Sequence, residues 1–400
     1  MKASPDTRHL FTFEFFALCL IIVAAFCNVS VFYSFYHYLG DIDVPLVWRG
    51  FLVGLEPMAA FALRLLVLPW LHLRNAYAIT MSALALLIAV SCSYLWMTSL
   101  AGLMVLRIAH GAVFVLLTSA AISLLVHFIP AEKSAQGFSA LAVATMIPYA
   151  IIPPATEALM PYVQSAADIY AAVSVFSLAG IALMILLRAR IAEAIGRMDA
   201  SFMRRLNPPE LRDNFRRRSV RLLLCVILFV YLAHAAFFYF LKDLTVQTGM
   251  GNPGVFFAVS MSTMIGVRIG GAFVFDRFHK TKIVMASLIA LAVCAAVLPG
   301  VKTAALFYLL GALYGGCMGV ILPVLSALLF SASAPELRGL NTNLTLFTMD
   351  AGYFLAPYLG GAVIAAGAGF GSLFYAAAGL TLLSIVLLTL FDQHERRIKK

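Results

Sequence analysis

The two halves of this 400-residue chain repeat each other. Arg64 recurs as Arg268 and His72 stands where Asp276 stands, both at a shift of 204; Gly111 recurs as Gly316 and Pro130 as Pro335 at 205, and Pro153 as Pro357 at 204. One register therefore runs from the second apolar segment of each half to the fifth. A chain duplicated through such segments is expected to fold as two like bundles. Repeat-built transporters hold their solute near the bilayer midplane where the repeats meet, so transport is the first functional reading.

The repeated segments belong in lipid. Soluble domains are about half apolar and a quarter charged, whereas this chain is 63% hydrophobic and 12% charged. Its mean hydropathy is +0.97. A hydrocarbon core of about 30 Å takes about 20 apolar residues per helix. Twelve such runs are present, at Phe13–His37, Pro45–Leu68, Ala76–Met97, Ser99–His127, Ala135–Leu159, Ile169–Leu187, Val220–Leu241, Gly254–Phe275, Ile283–Pro299, Ala304–Phe330, Asn341–Ala366 and Leu373–Phe391. Backbone groups must be satisfied internally in hydrocarbon, which leaves helices or a closed barrel. Runs of this length without period-2 alternation exclude the barrel. The expected fold class is an all-α integral membrane protein with two pseudo-symmetric six-helix bundles, residues 1–188 and 219–400, joined by a linker at 189–218.

The basic residues set the orientation. With both termini cytoplasmic, all but six of the 28 Lys and Arg fall on the cytoplasmic side; the exceptions are Arg49, Lys242 and Lys302 in outer loops and Arg64, Arg107 and Arg268 in the spans. That is the positive-inside pattern, and a bacterial inner membrane is the expected location. The net charge of +10 needs no nucleic acid, because Arg188 to Arg221 alone supplies ten arginines that lie against anionic lipid. Within this linker Ile191–Met203 is expected to form a short helix on the membrane surface. The first apolar run is read as a span rather than a cleavable signal, being too long and lacking a small-residue cleavage site. Cysteines 19, 27, 92, 225, 294 and 317 lie in apolar runs without paired spacing, as small packing residues do.

Several motifs resemble the major facilitator superfamily. The stretch GGAFVFDRFHKTK at Gly270–Lys282 is similar to that family's loop signature, a glycine-bearing helix end followed by Asp-Arg and basic residues. RIAHG at Arg107–Gly111 is similar to its membrane-buried arginine motif. PELRG at Pro335–Gly339 and LAPYLGG at Leu355–Gly361 resemble the loop ten-eleven and helix eleven pattern of the bacterial drug-efflux and sugar-efflux-like branches. The resemblance implies a twelve-helix alternating-access transporter in which Arg64, Asp276, Arg277, Lys280 and Arg338 serve the gating loops. The chain also departs from the pattern. The N-terminal counterpart, RLLVLPWLHLRN from Arg64 to Asn75, has His72 where the acidic anchor belongs, and the fifth span carries IIPPATEA at Ile151–Ala158 in place of a glycine-rich run.

Ionisable groups within a span are functional candidates by default. Glu56 lies about eleven residues inside the second span and Arg107 about eight inside the fourth, both from the outer face, so they reach similar depths. A buried Glu beside an Arg can carry a proton; a fixed structural ion pair is the alternative. Asp350 in the eleventh span either pairs with Arg64 across a seam between the halves or binds protons or a cationic solute in the cavity. Arg268 either receives an anion or bonds helix-end carbonyls or Asp276. His110 and His234 are read as packing residues or proton carriers. Asn28, Tyr33, Tyr149, Tyr239 and Tyr314, with His110, His234 and Arg268, are candidate cavity residues, although Tyr239 near a span end also suits an interfacial belt. Met261 and Met264 hint at a soft-metal path that abundant packing methionines explain as well.

No GxxxxGK loop is present, so ATP hydrolysis is not expected. No enzyme signature, cofactor or metal site is read. The expected function is secondary active transport of a small organic solute, coupled to protons, with export favoured by the helix ten-eleven resemblance. Two alternatives stand: an uptake permease for an organic anion or metal complex, and a transporter-like membrane sensor without turnover. The expected partners are solute, protons and membrane lipids, with the chain a monomer.

Overall fold

The computed structural model describes residues 10–67, 73–129, 134–196, 214, 216–275, 279–333 and 338–398. Among them the chain is helical from end to end, with no strand. The first span is α1 (Phe13–Ser30), a 3-10 turn at Val31–Ser34 and α2 (Phe35–Asp41). Then follow α3 (Leu46–Val67), α4 (Leu73–Ser93), α5 (Leu100–His127), α6 (Ser134–Leu159), and a sixth span made of α7 (Ala166–Ser174) and α8 (Phe176–Gly196). The second half gives α9 (Arg218–Thr248), α10 (Pro253–Phe275), α11 (Lys280–Val297), α12 (Ala304–Ala332), α13 (Arg338–Ala365) and α14 (Gly371–Ile398). Ten described spans are long and apolar enough to cross a membrane. The fifth and eleventh, α6 and α13, are helices of 26 and 28 residues interrupted by proline. Pro153 and Pro357, paired by the repeat, both sit inside these helices.

Local chemistry sets the helix ends. Thr12 caps α1 by accepting a hydrogen bond from the Phe15 amide at 3.3 Å. Ser165 and Asp168 form a reciprocal capping box on α7. Gly249, left-handed at φ 67°, closes α9 with its amide on the Thr245 carbonyl. At 31 residues α9 rises about 46 Å, beyond the hydrocarbon core. Of the helix expected at Ile191–Met203, the described part, residues 191–196, belongs to α8. α8 continues without a break to Gly196, because the preceding span already supplies its first turns; residues 197–203 lie outside the described residues.

The helices form two compact units: Met1–Phe32 with Met58–Phe202, and Tyr33–Pro57 with Met203–Lys400. In the first, α1 packs on α5, α6 and α8, and α4 on α5 and α8. Its core interleaves Leu18, Ile21, Leu84, Leu117, Leu124 and Leu187. In the second, α9 packs on α12, α13 and α14, and α12 on α10 and α11. The N-terminal segment of this second unit meets α13 backbone to backbone. A Cβ built on Gly50 would lie 2.5 Å from Gly361 Cα, and one on Gly54 2.8 Å from the Phe354 carbonyl. Gly50 and Gly54 are a GxxxG pair, the spacing that lets helices approach closely in lipid.

Candidate functional site

In the first unit a polar cluster is built around Phe32. Arg107 and His110, one turn apart on α5, are each 1% exposed. The Arg107 guanidinium lies 5.1 Å above the Phe32 ring, a cation–π arrangement. His110 meets the same ring edge-on at 4.8 Å, and Tyr170 stacks on it at 4.3 Å. Tyr94 closes the cluster at 5.2 Å. Neither ring nitrogen of His110 makes a hydrogen bond of full geometry among the described residues, although the Asn28 backbone lies within its reach. One turn before Phe32, Asn28 donates from Nδ2 to the Ala24 carbonyl at 2.9 Å and to Ser177 Oγ at 3.3 Å, leaving Oδ1 without a partner among the described residues. Buried polar atoms left open in this way are where an ordered water or a ligand group finds its hydrogen bonds.

The second unit holds an aromatic wall. Tyr231 and His234 share one face of α9, and Tyr353 of α13 meets them with centroids 6.3 and 5.7 Å away. The close approach of the two helices comes from Gly352, where a Cβ would lie 2.6 Å from Tyr231 Cβ. His234 is fixed from behind by Tyr314 of α12. Their rings are parallel at 5.8 Å, and Nδ1 shares a hydrogen bond with the Tyr314 hydroxyl. Tyr314 in turn stacks on Phe237 at 4.4 Å. The charge of Arg268 on α10 acts on both Tyr231 and His234, and that of Asp350 on Tyr231.

Elsewhere in the same unit, His37 of α2 places Nδ1 3.0 Å from Asp243 Oδ1 and Nε2 3.8 Å from Asp41 Oδ1. Asp243 Oδ2 is buried with no partner among the described residues. Arg49 donates from Nε to the Val44 carbonyl at 2.8 Å, and its guanidinium lies against Gly40.

The other residues named from sequence are placed singly. Glu56 and Asp350 are 6% and 7% exposed inside α3 and α13. Glu56 belongs to the Tyr33–Pro57 segment of the second unit, Arg107 to the first. Arg64 is half-buried in the first unit and Asp350 lies in the second. Tyr33 is buried edge-on to Phe257 at 5.7 Å, Tyr149 meets Phe26 at 6.4 Å, and Tyr239 lies 6.1 Å from Tyr353. Lys280 and Arg338 open α11 and α13. His72, Asp276 and Arg277 lie outside the described residues, as do Pro130 and Pro335 of the repeat. Among the described residues no group of three or more His, Cys, Asp or Glu is arranged to hold a metal ion.

Sequence reasoning missed His37 and Asp243. They lie 206 positions apart, one at the end of an apolar run and one beside Lys242, where charge is ordinary. It also missed Phe32, Tyr94, Tyr170 and Tyr353, since an aromatic within an apolar run carries no mark of its own.

Membrane-length helices throughout, an internal repeat and charged side chains buried among them define a polytopic membrane transporter. The family model of the major facilitator superfamily matches residues 18–339 and 271–400. The chain belongs to that superfamily. Among solved structures, a mutant form of the nucleoside transporter NupG superposes with a TM-score of 0.74 at 13% identity, covering 94% of this chain and 99% of that one. A second NupG structure gives 0.73 at 13% identity, with 95% and 99% covered. At that identity the likeness is one of fold. No curated protein matches the chain.

Proposed function

We propose that this chain is a proton-coupled secondary transporter that moves a small organic solute across a bacterial inner membrane by alternating access. Its two homologous halves, residues 1–188 and 219–400, are joined by a cytoplasmic linker at 189–218, and both termini are cytoplasmic. The observation that carries the reading is Glu56, a carboxylic acid 6% exposed in the middle of a membrane-spanning helix. Such a group is costly in hydrocarbon, about 2.5–3.5 kcal/mol for a charged residue on insertion scales. A carboxyl that binds and releases a proton with each cycle gives that cost a purpose. Export is the direction favoured, from PELRG at Pro335–Gly339 and LAPYLGG at Leu355–Gly361. NupG carries nucleosides by its name, but 13% identity does not transfer a substrate.

Proteoliposomes loaded with a pH-sensitive dye and exposed to a panel of organic solutes test the proposal. Solute-dependent proton movement is expected from the wild type. Glu56→Gln is expected to abolish accumulation driven by a pH gradient while solute-for-solute exchange persists. Full gradient-driven flux in Glu56→Gln would move the carrier elsewhere, with Asp350 the next residue to test. Binding without flux in the wild type would overturn transport in favour of a sensor.

A further inference from the structure

We infer that the aromatic wall of the second unit binds a planar aromatic solute bearing an acid group, the ring lying on Tyr231, His234 and Tyr353 and the acid on Arg268. The inference rests on the transporter reading only in treating the wall as a solute site. It goes further in naming the solute's chemistry.

Three observations converge. First, the wall has a partly exposed front and a buried back. Tyr231, His234 and Tyr353 each keep part of their surface open, whereas Phe237, Phe256 and Tyr314 behind them are buried. The three front rings meet one another at 43° to 89° rather than stacking face to face, so none covers another's face. An aromatic solute finds edge and offset-stacked contacts on such a surface, and a saturated ring of the same size does not. Second, the Nε of Arg268 is buried and has no hydrogen-bond partner among the described residues. A guanidinium presents its donors in a planar fork that matches a carboxylate, and a buried donor left open is costly until an acceptor arrives. Third, the charges are unequally committed. Asp350 is already engaged within the protein, while Arg268 keeps an open donor at Nε; both charges reach Tyr231, and that of Arg268 also reaches His234.

That field discriminates. Aromatic clusters attract cations to their ring faces, but with Asp350 already engaged the open Arg268 donor opposes a cationic solute on the His234 side of the cluster. A neutral aromatic gains the ring contacts and leaves the fork unfilled. An aliphatic acid fills the fork and forgoes the rings. Only an aromatic acid satisfies both, and a ring hydroxyl is compatible with the polar edges of Tyr231, His234 and Tyr353.

The test uses the purified full-length chain and equilibrium binding of benzoate, 4-hydroxybenzoate, phenylacetate and indole-3-acetate, with benzamide and cyclohexanecarboxylate as neutral and non-aromatic counterparts. At least one aromatic acid is expected to bind at least tenfold more tightly than benzamide and cyclohexanecarboxylate. Arg268→Gln should bring that acid down to the affinity of its amide while leaving amide binding unchanged, and Arg268→Lys should retain part of the preference. Tyr353→Leu should weaken the acid and the amide together and erase the preference over cyclohexanecarboxylate. It supplies an independent arm if the Arg268 variants fail to fold. Failure of all four acids to bind at millimolar concentration overturns the inference, as does equal binding of acid and amide, or an acid preference that survives Arg268→Gln. Flux in proteoliposomes separates the two proposals. An aromatic acid that binds but is never transported sinks the transporter reading and leaves this site standing; transport of a neutral or cationic solute without acid binding does the reverse.

Discussion

At the residue scale, the His37–Asp243 pair shows how much a buried carboxylate depends on one partner. Asp243 keeps Oδ1 on His37 Nδ1 at 3.0 Å and has Oδ2 buried without a partner among the described residues. Removing the imidazole strands the acid more completely than replacing the acid does, because an asparagine in its place still offers an acceptor. His37→Ala is therefore expected to destabilise the protein by about 1–3 kcal/mol, the usual cost of a buried polar group left unsatisfied. Asp243→Asn should cost less. The double variant should be more stable than the sum of the single losses, since it removes the stranded charge. Thermal unfolding of the four proteins in one detergent measures this, and strictly additive losses would show that the contact contributes nothing. The same residues show what a sequence can reveal at this scale. Arg107, His110, His234, Asp350 and Glu56 are conspicuous as polar letters in apolar runs, and all but His234 prove buried. Partners such as Phe32 and Tyr353 are not conspicuous, because their role arises from what the fold brings beside them.

At the element scale, helix positions were legible and helix contacts were not. Hydropathy placed many spans within a few residues of the observed ends, as with Pro45–Leu68 against Leu46–Val67 and Ala304–Phe330 against Ala304–Ala332, but the sixth, seventh and twelfth spans run on to Gly196, Thr248 and Ile398, past the expected ends at Leu187, Leu241 and Phe391. The first span ran past its expected end at His37 to Asp41. The backbone tightens into a 3-10 turn at Val31–Ser34 and then resumes as a helix, and a polar letter on a continuing helix reads as a boundary. Contacts depend on shape, as at Gly50 and Gly54, where α3 approaches α13 so closely that a side chain has no room. Gly50→Val is expected to destabilise by about 1–3 kcal/mol or more, since the added carbons meet backbone rather than a movable side chain. Gly266→Val is the control. A Cβ at Gly266 meets nothing within 4 Å, so its effect should be confined to helix propensity, in which valine is no worse than glycine, and no comparable loss is expected. Equal losses from the two variants would mean that the close approach does not matter to stability.

At the scale of the whole molecule, the chain's cut in sequence and its compact units differ. Composition divides it at the arginine-rich linker, but Tyr33–Pro57 packs with the second unit. Its pairing of His37 with Asp243 and of Gly50 with Gly361 belongs to tertiary packing, which no local pattern records. Topology across the bilayer, by contrast, is a property of summed charge, and it should be legible. With both termini cytoplasmic, as proposed from the basic residues, Glu193 at the end of the sixth span would face the cytoplasm and Tyr162, between the fifth and sixth spans, the outside. Both positions are exposed, Tyr162 at 84%, so a cysteine at either is open to reagent if the reagent reaches that side. Tyr162 is a better reporter than the neighbouring Asp168, whose carboxylate accepts from the Gln164 and Ser165 amides and caps α7. In a background with the six native cysteines replaced, Tyr162→Cys should react with an impermeant maleimide in intact cells. Glu193→Cys should react only after the membrane is opened. Positive-inside bias acts through short loops flanking the spans, and here it is carried by arginines on both sides of Glu193, at Arg188, Arg190 and Arg197. Reaction of Glu193→Cys in intact cells with Tyr162→Cys silent would invert the orientation, and with it the sense in which solute moves relative to the proton gradient.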